Sequence, residues 1–158
     1  MKKFIPVLSI LFILLACSKD DTNQQNAEGA QTFLERVDGQ GFVFTQTYGE
    51  DYFYFSNSSA FLKVIDVEND YTKCSELEEG SILLYGDEGE VRIVTNTYDA
   101  LLIEIDWRDV GLEQFEFTLN DTGNILKVSY PSSSDSVSSV DFDNYIKTGR
   151  KVSEFNCQ

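Results

Sequence analysis

The chain contains no histidine, and only 12 of its 158 residues are lysine or arginine. Without histidine it cannot form a histidine-based catalytic triad or dyad, and it offers a metal ion no imidazole ligand. It also has no glycine-rich loop for binding phosphate. Paired carboxylates could cleave glycosides, but acidic residues are so abundant that no pair stands out. We therefore predict a protein that is not an enzyme and has no resident cofactor.

The scarcity of positive charge also limits the partners of the protein. The 27 aspartate and glutamate residues give a formal net charge of −15. Contacts to nucleic-acid phosphates need lysine and arginine, so nucleic acid is excluded as a partner. Such a surface attracts cations and basic partners. We interpret the charge chiefly as a source of solubility.

The chain also lacks an apolar run long enough to cross a membrane. After Met1-Lys2-Lys3, the uncharged stretch from Phe4 to Ala16 covers 13 residues, whereas a spanning helix needs about 20. A positive start followed by a short apolar run is typical of a secretory signal peptide. We assign residues 1–16 to this signal.

The end of the apolar run carries a family resemblance. Leu14-Leu15-Ala16-Cys17 resembles the lipobox of bacterial lipoproteins. The resemblance implies acyl chains such as palmitate on the Cys17 sulfur, cleavage before Cys17 and acylation of the new amino terminus. Several acyl chains anchor a protein firmly, whereas one chain alone does so only marginally. The alternative is an ordinary signal peptide with an unrelated cysteine.

A second resemblance follows directly. Ser18-Lys19-Asp20-Asp21 resembles the export tag of Bacteroidetes-type surface lipoproteins. This implies a protein anchored in the outer membrane by its lipid and exposed at the cell surface. The alternative is that these residues only begin a solvated linker.

The rest of the chain is predicted to be one tethered domain. Removing residues 1–16 from the 158-residue chain leaves 142 residues and takes the formal net charge from −15 to −17, and that length suits a single domain with its own core. Residues 17–31 are polar without hydrophobic periodicity and are predicted to form a flexible tether. The domain is assigned to residues 32–158, which show no internal repeat.

Two cysteines remain if Cys17 is lipidated. In an oxidising compartment, Cys74 and Cys157 favour one disulfide, which would close a long loop. Two free thiols are the alternative, and the spacing does not decide between them. A metal site on these cysteines is disfavoured because the chain has no histidine and the two residues lie far apart in sequence.

Alternation of apolar and polar residues dominates the domain. Leu101, Ile103, Ile105 and Trp107, for example, alternate with Glu104 and Asp106. A period of two indicates half-buried antiparallel strands. The pattern predicts eight strands joined by tight turns in an up-and-down meander that closes into a barrel, with a two-sheet sandwich as the alternative. The strands are placed near 41–47, 51–57, 60–67, 81–86, 90–96, 99–107, 112–119 and 123–130.

Short helices are predicted at both ends of the meander. Thr32 and Glu35 have the spacing of a capping box, with Phe33, Leu34 and Val37 as the buried side of the first helix. Ser139 is placed as the cap of a second helix that runs to Lys147 and ends before Gly149. Its buried stripe is predicted to be Phe142, Tyr145 and Ile146.

This order of elements over residues 32–158 resembles the lipocalin plan. The resemblance implies a barrel that encloses one small apolar ligand, with a disulfide that ties the tail to the barrel. The family's Gly-x-Trp motif is not present: Phe42 in Asp38-Gly39-Gln40-Gly41-Phe42 stands where tryptophan is expected, and the sole tryptophan is Trp107. No ligand-binding residue is carried over from the family.

Three local motifs are candidates for function. Asp66, Glu68 and Asp70 begin like a calcium loop and predict weak Ca²⁺ binding, although Tyr71 and Leu77 stand where the loop needs glycine and glutamate. The alternative is a solvated loop. Asp135-Ser136-Val137 resembles the acceptor of Bacteroidetes-type O-glycosylation, which makes Ser136 a candidate for modification. The third motif, the aromatic run Tyr52-Phe53-Tyr54-Phe55, predicts an exposed platform of Tyr52 and Tyr54 for a sugar or protein. The alternative is that both faces of that strand are packed.

Taken together, these patterns predict a lipid-anchored, non-catalytic binding protein of the cell envelope. The leading hypothesis is that it captures a small apolar or amphipathic ligand inside the barrel. The alternative is an interaction module, or an accessory subunit of an uptake complex, that binds polysaccharide or protein through its outer face.

Overall fold

The computed structural model describes residues 30–69, 71–84, 87–108, 111–130 and 142–157. Within these ranges the chain forms one short helix, ten strands and a final 3₁₀ turn. No helix in the described ranges is long and apolar enough to span a membrane. The elements are α1 (Phe33–Val37), β1 (Gly41–Thr45), β2 (Gly49–Phe55), β3 (Ala60–Glu68), β4 (Tyr71–Glu78), β5 (Ser81–Leu84), β6 (Asp87–Asn96), β7 (Ala100–Trp107), β8 (Gly111–Leu119), β9 (Ile125–Ser129), β10 (Phe142–Thr148) and the turn Val152–Glu154.

The strands form a single antiparallel meander. Each strand pairs with the next one in the chain, and β10 also pairs with β1, so the sheet closes into a barrel. At the closure Phe42 of β1 lies opposite Lys147 of β10. A closed barrel leaves no unpaired strand edge. The predicted mostly-β meander and barrel are confirmed, and the sandwich alternative is not formed.

The structure corrects the prediction in two segments. Residues 71–78, which lie outside the predicted strands, form β4, and residues 142–148, predicted to be helical, form β10. The helical stripe was misread because Tyr145 faces the core whereas Ile146 is largely exposed, as expected for a strand of period two. Pairing of β10 with both β1 and β9 supplies the hydrogen bonds that decide the conformation. The predicted second helix is therefore wrong.

One end of the barrel, here called the closed end, is covered by α1. The predicted capping box is confirmed, since the Thr32 hydroxyl accepts from the Glu35 backbone N–H and the Glu35 carboxylate accepts from the Thr32 N–H. Phe33, Leu34 and Val37 are buried, and the ring of Phe33 lies 5.7 Å from that of Phe55. Burial of these side chains holds this short helix in place, because so few residues are marginal as an isolated helix.

The opposite end, here called the open end, is where β1 connects to β2, β3 to β4, β5 to β6, β7 to β8 and β9 to β10. Residues 149–157 leave β10 at the closed end and cross the outer face of β1 to β4. We call this segment the strap. It is joined to β4 by the Cys74–Cys157 disulfide, with 5.4 Å between the two Cα atoms. The predicted pairing of these cysteines is present in the structure.

Candidate functional site

The barrel interior is filled at the closed end and contains a cavity nearer the open end. Phe42, Leu101 and Phe117 are fully or almost fully buried beside α1. Towards the open end the inward side chains leave a cavity of about 150 Å³. Its lining is entirely apolar or aromatic: Phe53, Leu62, Val64, Leu77, Ile103, Ile105, Trp107, Phe115 and Phe117. We call these nine residues the cup.

Several cup residues are open to solvent although they face inward. Phe53, Val64, Trp107 and Phe115 pack against the core but are only partly buried. Apolar side chains that point into a fully filled barrel would be buried, as Phe117 is. The partial exposure therefore places the entrance to the cup at the open end.

Aromatic rings form much of the wall between the cup and the open end. The ring of Phe53 stacks on that of Tyr145 with the centroids 4.6 Å apart, and the ring of Phe115 lies edge-on to that of Tyr130 at 5.6 Å. Offset-stacked and edge-on pairs are the favoured arrangements of aromatic rings. The wall is thus built of rigid groups with large apolar faces.

Carboxylates form the next layer towards the open end. Asp51 follows the same inward face of β2 as Phe53, and Asp66 follows the same face of β3 as Val64. The two aspartates are cross-strand partners. Asp143 occupies the corresponding inward position two residues before Tyr145 on β10. We call Asp51, Asp66 and Asp143 the acidic rim.

The rim and its tyrosines have shifted pKa values. Partial burial raises the pKa of Asp51 above its ordinary value of 3.8, and repulsion from Asp143 adds to the rise while a hydrogen bond from Gln46 opposes it. Burial, followed by repulsion from Asp51, likewise raises the pKa of Asp66, whereas Lys73, its partner on β4, opposes the rise. Ionised carboxylates therefore repel one another here, and the rim favours a proton, a cation or a hydrogen-bond donor.

The tyrosine hydroxyls at the rim stay protonated at neutral pH. Burial and the nearby Asp143 raise the pKa of Tyr130 to about 12, and its hydroxyl donates to the Asp143 carboxylate at 3.1 Å. Burial is also the largest cause of the raised pKa of Tyr145, with Tyr130 and Asp51 adding to it. The rim can accept hydrogen bonds from a ligand, and no nucleophile is activated in it.

The sole tryptophan lies in the cup and is oriented by a carboxylate. The indole N–H of Trp107 donates to Glu113 at 2.8 Å. This contact fixes a large aromatic side chain at the boundary between the apolar cup and the carboxylates. It also makes Trp107 a reporter of what enters the cup, since no other tryptophan is present in the chain.

The predicted aromatic platform on the outer face is wrong. Tyr52 and Tyr54 do point outward, but they are only 3% and 8% exposed. The strap covers them: Phe155 packs on both rings, and Val152 joins the same cluster. The alternative of a strand packed on both faces is the one that forms, because the cysteine near the end of the chain anchors a cover over this face.

The structure describes only part of the predicted calcium-binding motif. Asp66 and Glu68 belong to β3, Asn69 has a positive φ, and β4 begins at Tyr71. Glu68 accepts a hydrogen bond from the Tyr71 hydroxyl at 2.7 Å. Asp70 lies outside the described residues, as do Cys17 and Ser136. Among the residues that are described, no group of three or more metal-ligating side chains comes together.

The sequence reasoning missed the cup and the acidic rim. The alternation that predicts β7 places Trp107 on the inner face with Leu101, but the pairing of β2, β3 and β10 is needed to show that Asp51, Asp66 and Asp143 face the same layer of the barrel. Comparison with protein-family models, with curated proteins and with solved structures found no match for this chain. Its function is therefore inferred from the geometry of the site.

Proposed function

We propose that the protein is a non-catalytic binding protein that takes a small amphipathic ligand through the open end of its barrel. One observation carries the proposal: the inward residues near that end form a cavity of about 150 Å³ lined only by apolar and aromatic groups. A dry apolar cavity of about that size accommodates benzene. The apolar part of a ligand would occupy the cup, and a larger ligand would extend past the acidic rim.

The rim indicates the polar end that such a ligand would carry. Asp51, Asp66 and Asp143 offer hydrogen-bond acceptors at the next inward layer beyond Phe53 and Val64. A hydroxyl or an ammonium group satisfies these acceptors, whereas a carboxylate would be repelled by them. The preferred ligand is therefore an alcohol or an amine with an apolar tail.

We also propose that acyl chains on Cys17 hold the protein on the outer membrane, at the cell surface. The sequence around Cys17 supports this proposal. The described part of the chain enters the barrel through α1, at the closed end, opposite the entrance to the cup. The outer-face alternative has lost the two tyrosines on which it rested.

The test uses Trp107 fluorescence in a titration of the mature domain with n-octanol, n-octylamine and octanoate. We expect saturable changes in the emission with octanol and octylamine and a weaker response to octanoate. Val64→Phe fills the cup and should weaken binding at least tenfold. Val94→Phe is the matched control, because Val94 is 48% exposed on the outer face of β6.

Two results would overturn the proposal: the absence of a saturable response to any of the three compounds, or equal binding by the Val64→Phe and Val94→Phe proteins. Native mass spectrometry of protein purified from its own host gives an independent measurement. A small molecule that is released only on denaturation would support the proposal and name the ligand. A bare protein mass together with a failed titration would leave the cup without a binding role.

A further inference from the structure

A second recess lies between the strap and the barrel wall, near the closed end. Its volume is about 510 Å³, within the range of small-molecule sites. One side is formed by residues 147–152, at the end of β10 and the beginning of the strap, and the other by residues 39–41 and the ends of β2 and β3. We call this recess the strap groove. It is separate from the cup and shares no cup residue.

The charge of the strap groove is opposite to that of the protein. Four cationic residues are among those that line it, Lys63, Lys147, Arg150 and Lys151, against a single acidic one, Glu76. The whole chain has a formal net charge of −15. This local excess of positive charge produces a positive potential in the recess, whereas the rest of the acidic surface repels anions. The groove is therefore the place on the described surface best suited to hold a negative group.

The side chain of Arg150 is held in place by its neighbours beside the groove. Its guanidinium lies over the ring of Phe155 at 4.0 Å and donates to the Tyr52 hydroxyl at 2.9 Å. Its backbone carbonyl accepts from the Tyr54 hydroxyl at 2.9 Å. It also forms an ion pair with the Glu50 carboxylate at 3.7 Å, with which a bound anion would compete. An arginine already fixed by stacking and hydrogen bonds loses little conformational freedom when it binds an anion.

The lysines divide into one that is paired and two that are not. Lys63 forms an ion pair with Glu76 at 2.7 Å. Lys147 and Lys151 are exposed, and among the described residues neither takes part in an ion pair. These two lysines stand at the two ends of residues 147–151, and their ammonium groups are available to a ligand.

We propose that the strap groove binds a small organic anion that carries a phosphate or carboxylate group. Arg150 supplies a planar set of donors that matches such groups, and Lys147 and Lys151 supply additional charge. The strap forms one wall, so the Cys74–Cys157 disulfide holds the site together. This site is independent of the ligand proposed for the cup, and either proposal can fail without the other.

The test is a titration of the ¹⁵N-labelled mature domain with pyrophosphate and with citrate at low ionic strength, followed by NMR. We expect saturable shifts concentrated on the amides of Gly39, Gly41 and Gly149, and weaker binding at about 150 mM salt. The Lys147→Gln/Lys151→Gln protein should bind at least tenfold more weakly. Arg92→Gln/Lys127→Gln removes the same charge outside the groove and should change the affinity less than twofold.

A second variant tests the recess itself. A Cβ at Gly149 would meet no other atom within 4 Å, so Gly149→Glu should fold normally and place a carboxylate in the groove. We expect it to abolish binding of both anions, and reduction of the disulfide to weaken binding at least fivefold. Three results would each overturn the proposal. They are an equal loss of anion affinity in the two double variants, chemical-shift changes spread over the whole surface, and binding only to vesicles rich in phosphatidylglycerol.

Discussion

The ring of Phe155 lies edge-on against the ring of Tyr52, with the two centroids 4.7 Å apart. Tyr54 stacks beside Tyr52 at 6.2 Å, and the Arg150 guanidinium lies over the ring of Phe155. These contacts turn an outer strand face with two tyrosines into a second small core beneath the strap. Tyr52, Tyr54 and Ile65 on the outer wall are therefore as buried as side chains of the interior.

Removing the Phe155 ring should loosen the strap. We expect Phe155→Ala to lower the free energy of unfolding by about 1–2 kcal/mol, because a partly buried aromatic ring and its ring contacts are lost. Tyr52 and Tyr54 should also become accessible, which hydrogen exchange at β2 would detect. Tyr48→Ala is the control, since Tyr48 is 77% exposed. Equal effects of the two changes would contradict a role of Phe155 in holding the strap.

The disulfide should contribute more than any single packing contact of the strap. It closes a loop with a sequence separation of 83 residues, which corresponds to about 4.5 kcal/mol of unfolding free energy in the chain-entropy treatment. We expect Cys74→Ala/Cys157→Ala to show a much lower urea midpoint than the oxidised protein. Reduction of the unmodified protein should produce a similar shift. A change below about 1 kcal/mol would mean that the unfolded chain is already compact in this region.

The sequence predicted the parts of the fold in which one inward face is uniformly apolar. The stretches from Ala100 to Trp107 and from Gly111 to Leu119 alternate clearly, and both strands were placed within a residue or two. Strand β4 was missed because Lys73 and Ser75 occupy its inward face between Tyr71 and Leu77 and interrupt the apolar signal. Alternation of apolar and polar residues is a reliable indication of a strand only where all the inward residues are apolar.

The candidate site was harder to predict than the fold. The site consists of inward positions near the open end, where the inward residues change from apolar side chains to Asp51 and Asp66. These two residues are cross-strand partners, which a single sequence does not show unless the strand register is known. The strap was anticipated only as a tail that Cys157 holds. Its position over Tyr52 depends on contacts between residues about 100 positions apart in the chain, which local patterns do not encode.

A small residue at the beginning of β1 should be essential for the packing of Tyr54. A Cβ at Gly41 would lie 2.3 Å from Cε1 of Tyr54, and Tyr54 is held by its hydrogen bond to the Arg150 carbonyl. We expect Gly41→Ala to cost about 2 kcal/mol of unfolding free energy, as overpacking does. Gly149→Ala is the matched control, because nothing lies within 4 Å of its Cβ. It should be neutral or slightly stabilising.

Thermal unfolding of the two glycine variants in the same buffer would check this expectation. A Gly41→Ala protein as stable as Gly149→Ala would show that the Tyr54 ring can move aside without cost. In that case the strap, which Tyr54 helps to hold, would be less firmly packed than its contacts indicate. The Phe155→Ala variant should then also show a small effect.

The acidic rim should make stability depend on pH in a defined direction. Partial burial raises the pKa of Asp51 above 3.8 in the folded state, so folding favours its protonated form. The resulting stabilisation is fully present below pH 3.8 and is lost as the pH rises through the higher folded-state pKa. At pH 7 the ionised carboxylate therefore reduces stability, and Asp51→Asn should be slightly more stable than the unmodified protein, because solvent partly screens the group.

This difference should shrink as the pH is lowered from 7 towards 3.8, which urea unfolding at several pH values would measure. Asp106→Asn is the control for net charge, since Asp106 is exposed on the outer face of β7. Its effect should be smaller at pH 7 and should change less with pH. An Asp51→Asn protein that is less stable at pH 7 would mean that the hydrogen bond from Gln46 outweighs burial and the repulsion from Asp143. The rim would then stabilise the fold, and a cationic or hydroxyl ligand would have to compete with that bond.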